Sequence, residues 1–256
     1  MGYDATVDTY MSSPIERIAA PATLVEAEER LSDLRISCLA VTEGDEITGV
    51  ISRTDLLHAG RPGPGAVRRF GRGAKVADAM THGVVMVGAH DGIGHAAMAM
   101  LEHQVHRVFV FAGASGELAG VLSTRDIMRA VMDRRDERPI SDFMSDAPRT
   151  LSVSTRLDEA DEELERAGVT GLVVVENDWP VGIFSQIDAL ASRMMSPRST
   201  VDEAMSPLFL CLAPTTKLHR AAAMAAAMDV RRIIVVDHRQ MRGILSGLDF
   251  ARAVLP

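Results

Sequence analysis

The chain has 256 residues, enough for one large domain or two ordinary ones, and its 47% hydrophobic and 24% charged residues suit a globular protein with real cores. Its 27 basic and 35 acidic residues leave a net charge of −8, which argues against a protein that coats nucleic acid. No stretch approaches the roughly 18 apolar residues of a membrane helix, and Met1-Gly2-Tyr3-Asp4-Ala5 is unlike a secretion signal, so a cytoplasmic location is expected. Cys38 and Cys211 lie in apolar runs and read as buried thiols of a reducing compartment, not as a disulfide framework. With seven Phe, two Tyr and one Trp, the cores must come from Ala, Val, Leu, Ile and the fifteen Met.

Along the chain one pattern returns four times. The first copy starts at Val7 with Met11-Ser12 four positions on. Leu24 and Ala27 follow on a predicted amphipathic helix over 22–35. Two β-rich runs flank the turn Glu43-Gly44-Asp45, and the copy closes on Gly49-Val-Ile-Ser-Arg-Thr-Asp55 and a second helix. A connector over 59–75 comes next; its stretch Gly60–Gly73 holds five Gly, two Pro and four Arg and reads as a flexible surface link. The second copy runs from Val76 and Met80-Thr81 through a helix over 91–103 and the strands Val108–Phe111 and Leu118–Leu122, with a turn at Gly113–Gly116. It closes on Gly120-Val-Leu-Ser-Thr-Arg-Asp126. The third has Ile140, Met144-Ser145, a helix over 155–167, the turn Glu176-Asn-Asp178 and Gly182-Ile-Phe-Ser-Gln-Ile-Asp188. The fourth has Val201, Met205-Ser206, a helix over 215–228, strands Ile233–Val236 and Met241–Leu245 about Asp237-His238, and Gly243-Ile-Leu-Ser-Gly-Leu-Asp249. Met and closing Asp are 44, 46, 44 and 44 positions apart, a register that chance does not keep. Thr155 and Thr215 are expected helix N-caps and Gly168 a helix stop. Each unit is thus strand, helix, strand, strand, helix, about 60 residues, too small to be comfortable alone and expected to pair.

The repeated Ser-x-x-Asp has a plain explanation: it is the capping-box pattern that satisfies the first backbone N–H groups of a helix. It also has a chemical one. A carboxylate at a strand-to-helix junction can accept hydrogen bonds from the vicinal diol of a ribose, and the helix start beside a Ser hydroxyl suits a phosphate. The four copies differ just before the first strand of the hairpin. Repeat two has Val105-His106-Arg107 and repeat four Val230-Arg231-Arg232, where repeats one and three have Ile36-Ser37-Cys38 and Val169-Thr170-Gly171. Arg125 adds a cation beside Asp126, and Arg53 one beside Ser52. Arginine clusters match phosphate geometry.

These residues carry a resemblance. The opening Met-Ser/Thr, the Leu-x-x-Ala helix and the closing Gly-φ-φ-Ser-x-x-Asp resemble cystathionine-β-synthase (CBS) domains over residues 7 to about 254. The resemblance implies an α/β (α+β) fold of four βαββα CBS repeats in two pseudo-twofold pairs. The first pair would fill 1–137, with repeats at about 7–58 and 76–133; the second would fill 138–256, with repeats at about 140–195 and 201–256. It further implies a non-catalytic regulatory module that binds adenosine-containing ligands (AMP, ADP or ATP foremost, or S-adenosylmethionine) in clefts between paired repeats and transmits occupancy to a partner protein. No cofactor is required. The Val-His-Arg of repeat two is similar to the γ subunit of AMP-activated protein kinase.

Carried onto this sequence, the resemblance implies one cleft of Asp126, Ser123, Arg125, His106 and Arg107 under an opening segment near Ser12 and Ile15. Its mate would use Asp55, Ser52 and Arg53 with Thr81 and Val85 opposite. In the second pair, Asp249, Ser246, Arg231 and Arg232 would face the segment after Met144, and Asp188 and Ser185 the segment around Phe209. Repeats one and three lack the pre-strand cation, and repeat four has Gly247-Leu248 where repeat two has Thr124-Arg125.

Other signals point less far. Five of the eight histidines fall between His82 and His106, and a helix could bring His103 and His106 together, but no Cys or carboxylate pair completes a metal set, so no metal is expected. Arg61, Arg68, Arg69, Arg72 and Lys75, with Phe70 alone to stack, read as a solvated linker and not as a nucleic-acid surface. The Met- and Ala-rich helix 218–228 reads as a helix–helix packing surface. The competing functions are a protein-interaction scaffold with vestigial clefts and an enzyme; against the latter, the repeats consume the chain and no catalytic motif stands outside them. A monomeric four-repeat disk and a homodimer both fit.

Overall fold

The computed structural model describes residues 3–44, 46–60, 70–113, 117–146 and 148–255. Most of the basic connector, including Arg61, Arg68 and Arg69, lies outside them. In repeat one, β1 (Arg17–Ala19) leads to α1 (Leu24–Asp33), the hairpin β2 (Cys38–Glu43) and β3 (Glu46–Ser52), and α2 (Arg53–Ala59). Repeat two is opened by β4 (Thr81–His82) and has β5 (Met86–Gly88), α3 (Ile93–Glu102), β6 (Arg107–Ala112), β7 (Glu117–Ser123) and α4 (Thr124–Arg134). Repeat three is opened by β8 (Ser145–Asp146) and has β9 (Thr150–Ser152), α5 (Leu157–Arg166), β10 (Gly171–Glu176), β11 (Trp179–Ser185) and α6 (Gln186–Ala191). Repeat four has β12 (Leu210–Leu212), α7 (Leu218–Ala227), β13 (Arg232–Asp237), β14 (Gln240–Ser246) and α8 (Gly247–Ala253). This is the expected βαββα order four times, each sheet built from a parallel first strand and an antiparallel hairpin.

The hairpins owe their closure to turn chemistry. Asn177 and Asp178 (φ 50° and 62°), and His238 and Arg239 (φ 47° and 62°), occupy the left-handed region at both central positions, which matches the right-handed twist of the flanking strands. Gly168 (φ 62°) ends α5 as expected. The N-caps expected at Thr155 and Thr215 are instead Arg156 and Lys217. Both cap residues are held extended by a β-bridge, Arg156 to Thr200 and Lys217 to Pro139, so α5 starts one residue and α7 two residues later than Thr chemistry alone suggests. The idea of a His103–His106 pair on one helix also fails: α3 ends at Glu102, Gln104 turns to φ 53°, and His106 stands at the strand entrance.

The repeated aliphatic, Met and Gly have one joint explanation. Val7, Val76, Ile140 and Val201 are fully buried and begin short 3-10 turns. Each turn hands the following Met-Ser/Thr to the sheet of the paired repeat: Ser12 bridges Val121, Thr81 pairs with Val50, Ser145 with Ile244 and Ser206 with Ile183. The closing-motif glycine lies under that crossing. A Cβ at Gly120 would meet the Ser12 carbonyl oxygen at 2.5 Å and Met11 Sδ at 3.1 Å; at Gly243 it would meet the Ser145 carbonyl oxygen at 2.5 Å and Met144 Sδ at 3.0 Å. Gly49 and Gly182 are under the same crowding from Thr81 and Met80, and from Ser206 and Met205. Opening Met and closing Gly are therefore two halves of one contact.

The halves 1–137 and 138–256 describe how the repeats follow along the chain, and the compact units cut across them. Unit 1 comprises 1–15, 85–148 and 209–256, the bodies of repeats two and four with the openings of repeats one and three. Unit 2 comprises 16–84 and 149–208, the bodies of repeats one and three with the openings of repeats two and four. In unit 1, α4 packs on α7 and α8, and α3 on α8, around a core that includes Val7, Met100, Leu122, Ile140 and Phe250. The alanines of α7 (Ala221, Ala222 and Ala225, all fully buried) make the helix packing surface, while Met224 is 42% exposed. In unit 2, α2 packs on α6 around Leu31, Leu39, Ile51, Leu164 and Phe184. Cys38 is buried and Cys211 half-buried, both free thiols.

Candidate functional site

All four Ser-x-x-Asp motifs cap helices. The aspartate Oδ2 of each accepts from the backbone N–H and from the hydroxyl of the serine three residues earlier, at 2.6–2.8 Å (Ser52/Asp55, Ser123/Asp126, Ser185/Asp188, Ser246/Asp249). The strand entering the hairpin faces this cap: Arg107 stands opposite Ser123 and Arg232 opposite Ser246, where the other repeats have Cys38 opposite Ser52 and Gly171 opposite Ser185.

The second oxygen and the burial separate the units. In unit 1, Asp126 is 6% and Asp249 2% exposed, the only acidic residues buried as whole residues among the described ones; Asp55 and Asp188 in unit 2 are partly exposed. Asp249 Oδ1 accepts from Ser145 Oγ at 3.2 Å and from Arg252 Nη1 at 3.1 Å. Asp126 Oδ1 accepts from Arg129 Nη1 at 3.4 Å. Asp55 Oδ1 accepts from Thr81 Oγ1 at 2.8 Å, so the opening Ser/Thr of a mate reaches the aspartate in one pair of each unit.

Unit 1 also gathers the cations of repeats two and four into one place. His106 is held down to about 4 by burial first and then by the nearby charges of Arg107, Arg232 and Arg231. The two repeats meet close by: a Cβ on Gly247, first residue of α8, would lie 2.3 Å from Oγ1 of Thr124, first residue of α4. Thr124 N–H donates to the His106 carbonyl at 3.0 Å, which ties the start of α4 to the cationic strand entrance. Arg125 forms an ion pair with Asp229 across the two repeats, and its guanidinium is engaged there.

Of the other expected site residues, Ser12 bridges Val121 beside the Asp126 cap and Ile15 is buried at the end of the same opening. Arg53 donates from Nη2 to the Leu31 carbonyl at 3.1 Å, in the last turn of α1. Val85 and Phe209 begin segments of unit 1, whereas Asp55 and Asp188 belong to unit 2. Sequence reasoning placed Ser145 in the segment that Asp249 faces but did not single out Arg129 or Arg252. The signal was there: only repeats two and four have Arg three residues after the closing Asp. Among the described residues, no three His, Cys, Asp or Glu side chains gather in a metal-binding set, and no helix is long and apolar enough to cross a membrane.

The CBS domain family profile matches residues 7–61, 76–133 and 140–194, and the chain belongs to the CBS domain family. Repeat four repeats the same element order in the structure. Over 97% of this chain and 99% of the other, the fold is similar to the protein MJ1225 of Methanocaldococcus jannaschii, proposed as an archaeal homologue of γ-AMPK, with a TM-score of 0.83 and 19% identity. It is similar as well to an uncharacterized conserved protein of Pyrococcus horikoshii, with a TM-score of 0.72 and 20% identity over 98% of this chain and 100% of that one. Among curated sequences, the Meiotically up-regulated gene 70 protein of Schizosaccharomyces pombe is 21% identical over 99% of this chain, which spans 35% of that protein's length.

Proposed function

We propose that the chain is a non-catalytic regulatory module that binds adenosine-containing ligands, AMP, ADP or ATP foremost, in unit 1 and transmits their occupancy to a partner protein. One observation carries the reading: His106, Arg107, Arg231 and Arg232 converge beside two buried aspartates. Three arginines near a half-buried imidazole match the geometry and charge of a phosphate, which would add charge-assisted hydrogen bonds there. The buried carboxylates supply acceptors for ribose hydroxyls. A phosphate and a diol on one ligand describe a nucleotide. A change in partner engagement follows by linkage if the ligand favours one arrangement of the units over another.

A second reading has its own support. The complete caps of all four motifs account for the Ser-Asp pairs without any ligand, and unit 2 has Cys38 and Gly171 opposite Ser52 and Ser185 where unit 1 has arginines. Unit 2 on this view is scaffold and unit 1 the sensor. Isothermal titration of the full chain with AMP, ADP, ATP and S-adenosylmethionine tests both. Micromolar binding, about −8 kcal/mol, weakened by Arg107→Ala and Arg232→Ala but retained in Asp188→Ala, is the expected outcome. Flat traces with all four ligands remove the nucleotide reading and leave the scaffold.

A further inference from the structure

A carboxylate offers about four lone-pair positions to hydrogen-bond donors. On Asp249 all are taken: Oδ2 by the Ser246 N–H at 2.7 Å and hydroxyl at 2.8 Å, Oδ1 by Ser145 Oγ and Arg252 Nη1. A ligand hydroxyl reaches this oxygen only by displacing one of them. Arg252 Nη1 also donates to the Phe143 carbonyl at 3.2 Å, so one guanidinium nitrogen holds both the aspartate and the opening segment that pairs with β14. The pseudo-equivalent Arg129 holds Asp126 Oδ1 and lies over the Tyr10 ring, 5.9 Å from its centroid. Tyr10 in turn donates to Asp133 at 3.0 Å.

Tyr10 and Phe143 are counterparts, each standing directly before an opening Met. In unit 2 the corresponding residues are Ala79 and Ala204, and the positions three after the closing Asp are His58 and Ala191. Arginine and aromatic thus occur together at both aspartates of unit 1 and are missing together at both of unit 2. The arginine side chains are half in solvent, 58% and 50% exposed, while the side chains of the aspartates they hold are only 8% and 4% exposed. The arginine can therefore leave into water; the carboxylate cannot, and needs another donor when it does.

We propose that Arg252 and Arg129 are displaceable latches. Each holds Oδ1 of its aspartate together with the opening segment of the paired repeat, and a ligand hydroxyl that takes Oδ1 frees the arginine and loosens that opening. This rests on the nucleotide reading of unit 1 and assigns its conformational readout to the two openings.

Two measurements on the full chain test the latch. The first uses no ligand: amide hydrogen exchange of the wild type, Arg252→Ala and Arg129→Ala. Faster exchange, by about threefold or more, is expected at 143–146 in the first variant and at 10–12 in the second, with 80–82 and 205–206 unchanged. The second compares AMP with 2′-deoxy-AMP by titration. Where the diol must displace an arginine, its net contribution is small; in Arg129→Ala/Arg252→Ala the preference for AMP over 2′-deoxy-AMP should rise about fivefold. AMP should speed exchange at 143–146 in the wild type and not in Arg252→Ala. The Gln variants repeat the series if an Ala variant does not fold. An unchanged AMP preference, an equal loss of both nucleotides, or openings indifferent to the substitutions each overturn the latch. No nucleotide binding to the wild type overturns the nucleotide reading and the displacement with it, and the ligand-free exchange then reports on the tie alone.

Discussion

Gly247→Ala tests how tightly unit 1 is closed around its cations. The added Cβ would lie 2.3 Å from Thr124 Oγ1, 2.7 Å from Thr124 Cβ and 3.3 Å from its Cγ2. Turning χ1 of Thr124 can move Oγ1 but not Cβ, and Thr124 is 8% exposed, so the starts of α4 and α8 must part by several tenths of an ångström. Overpacking of this kind costs about 1–3 kcal/mol. The gain from replacing glycine offsets up to about 1 kcal/mol. A net loss of about 1–2 kcal/mol remains, or roughly 2–8 °C in Tm for a chain of this size. Urea unfolding of Gly247→Ala, Thr124→Gly and the double variant measures it, and the double variant should recover about 1 kcal/mol or more of coupling. Gly71→Ala is the control, since a Cβ there would make only an ordinary contact, with Ala74 Cβ at 3.9 Å. A neutral or stabilising Gly247→Ala, or the same cost with Thr124 already removed, would refute the argument.

Asp249→Ala strips acceptors from Ser145, Arg252 and the Ser246 N–H at a buried position, and should destabilise by about 2–3 kcal/mol; Asp55→Ala, at a partly exposed cap, should cost about 1 kcal/mol. Denaturant midpoints of the two variants decide, and equal losses would count against the difference between the units. His106 titrates at about 4 in the folded chain, against about 6.5 unfolded, so between those values the unfolded state binds more protons and stability falls as pH drops. The loss, about 3 kcal/mol at most, should be complete near pH 4 and absent in His106→Gln; parallel stability–pH curves would contradict it. An anion among Arg107, Arg231 and Arg232 favours the protonated imidazole, so nucleotide binding near pH 5.5 should take up a proton, read as a buffer-dependent binding enthalpy, and His106→Gln should abolish that dependence. Rising salt should weaken nucleotide binding in the wild type more steeply than in Arg232→Ala.

Much of this was legible because the repeat is self-consistent. The spacing of Met, Leu, Ala, Gly, Ser and Asp placed the helices to within two or three residues and the hairpins at their turns. The misplaced N-caps show where local reading stops: the chain around Arg156 and Lys217 is held extended by Thr200 and Pro139, each just before the opening of the paired repeat, and no local signal in Thr155 or Thr215 contains that. The joint role of Met11 and Gly120, or Met144 and Gly243, was hidden for the same reason. Each residue recurs visibly, but the contact joins a motif at the start of one repeat to a motif at the end of its mate. The gathering of His106 with Arg231 and Arg232 was hidden more deeply, because sequence pairs repeat two with repeat one, whereas helix packing joins it to repeat four.

The pattern of variation among the four copies separates support from chemistry. Residues kept in all four, the opening Met-Ser/Thr, the closing Gly and the Ser-Asp cap, have structural work to do in every copy: they cross, crowd or cap. Residues that alternate do not serve that frame, since unit 2 closes with Cys38, Gly171, His58 and Ala191 at the positions where unit 1 has Arg107, Arg232, Arg129 and Arg252. The alternation follows the units, not the order along the chain. Repeats two and four supply the cations, and the openings of repeats one and three, which feed unit 1, supply the Tyr10 ring to Arg129 and the Phe143 carbonyl to Arg252. A frame that closes without these side chains has no packing reason to concentrate charge there. Their concentration in one unit, at two buried carboxylates and a depressed imidazole, is the physical argument for a polyanionic ligand in unit 1 and for a structural task in unit 2.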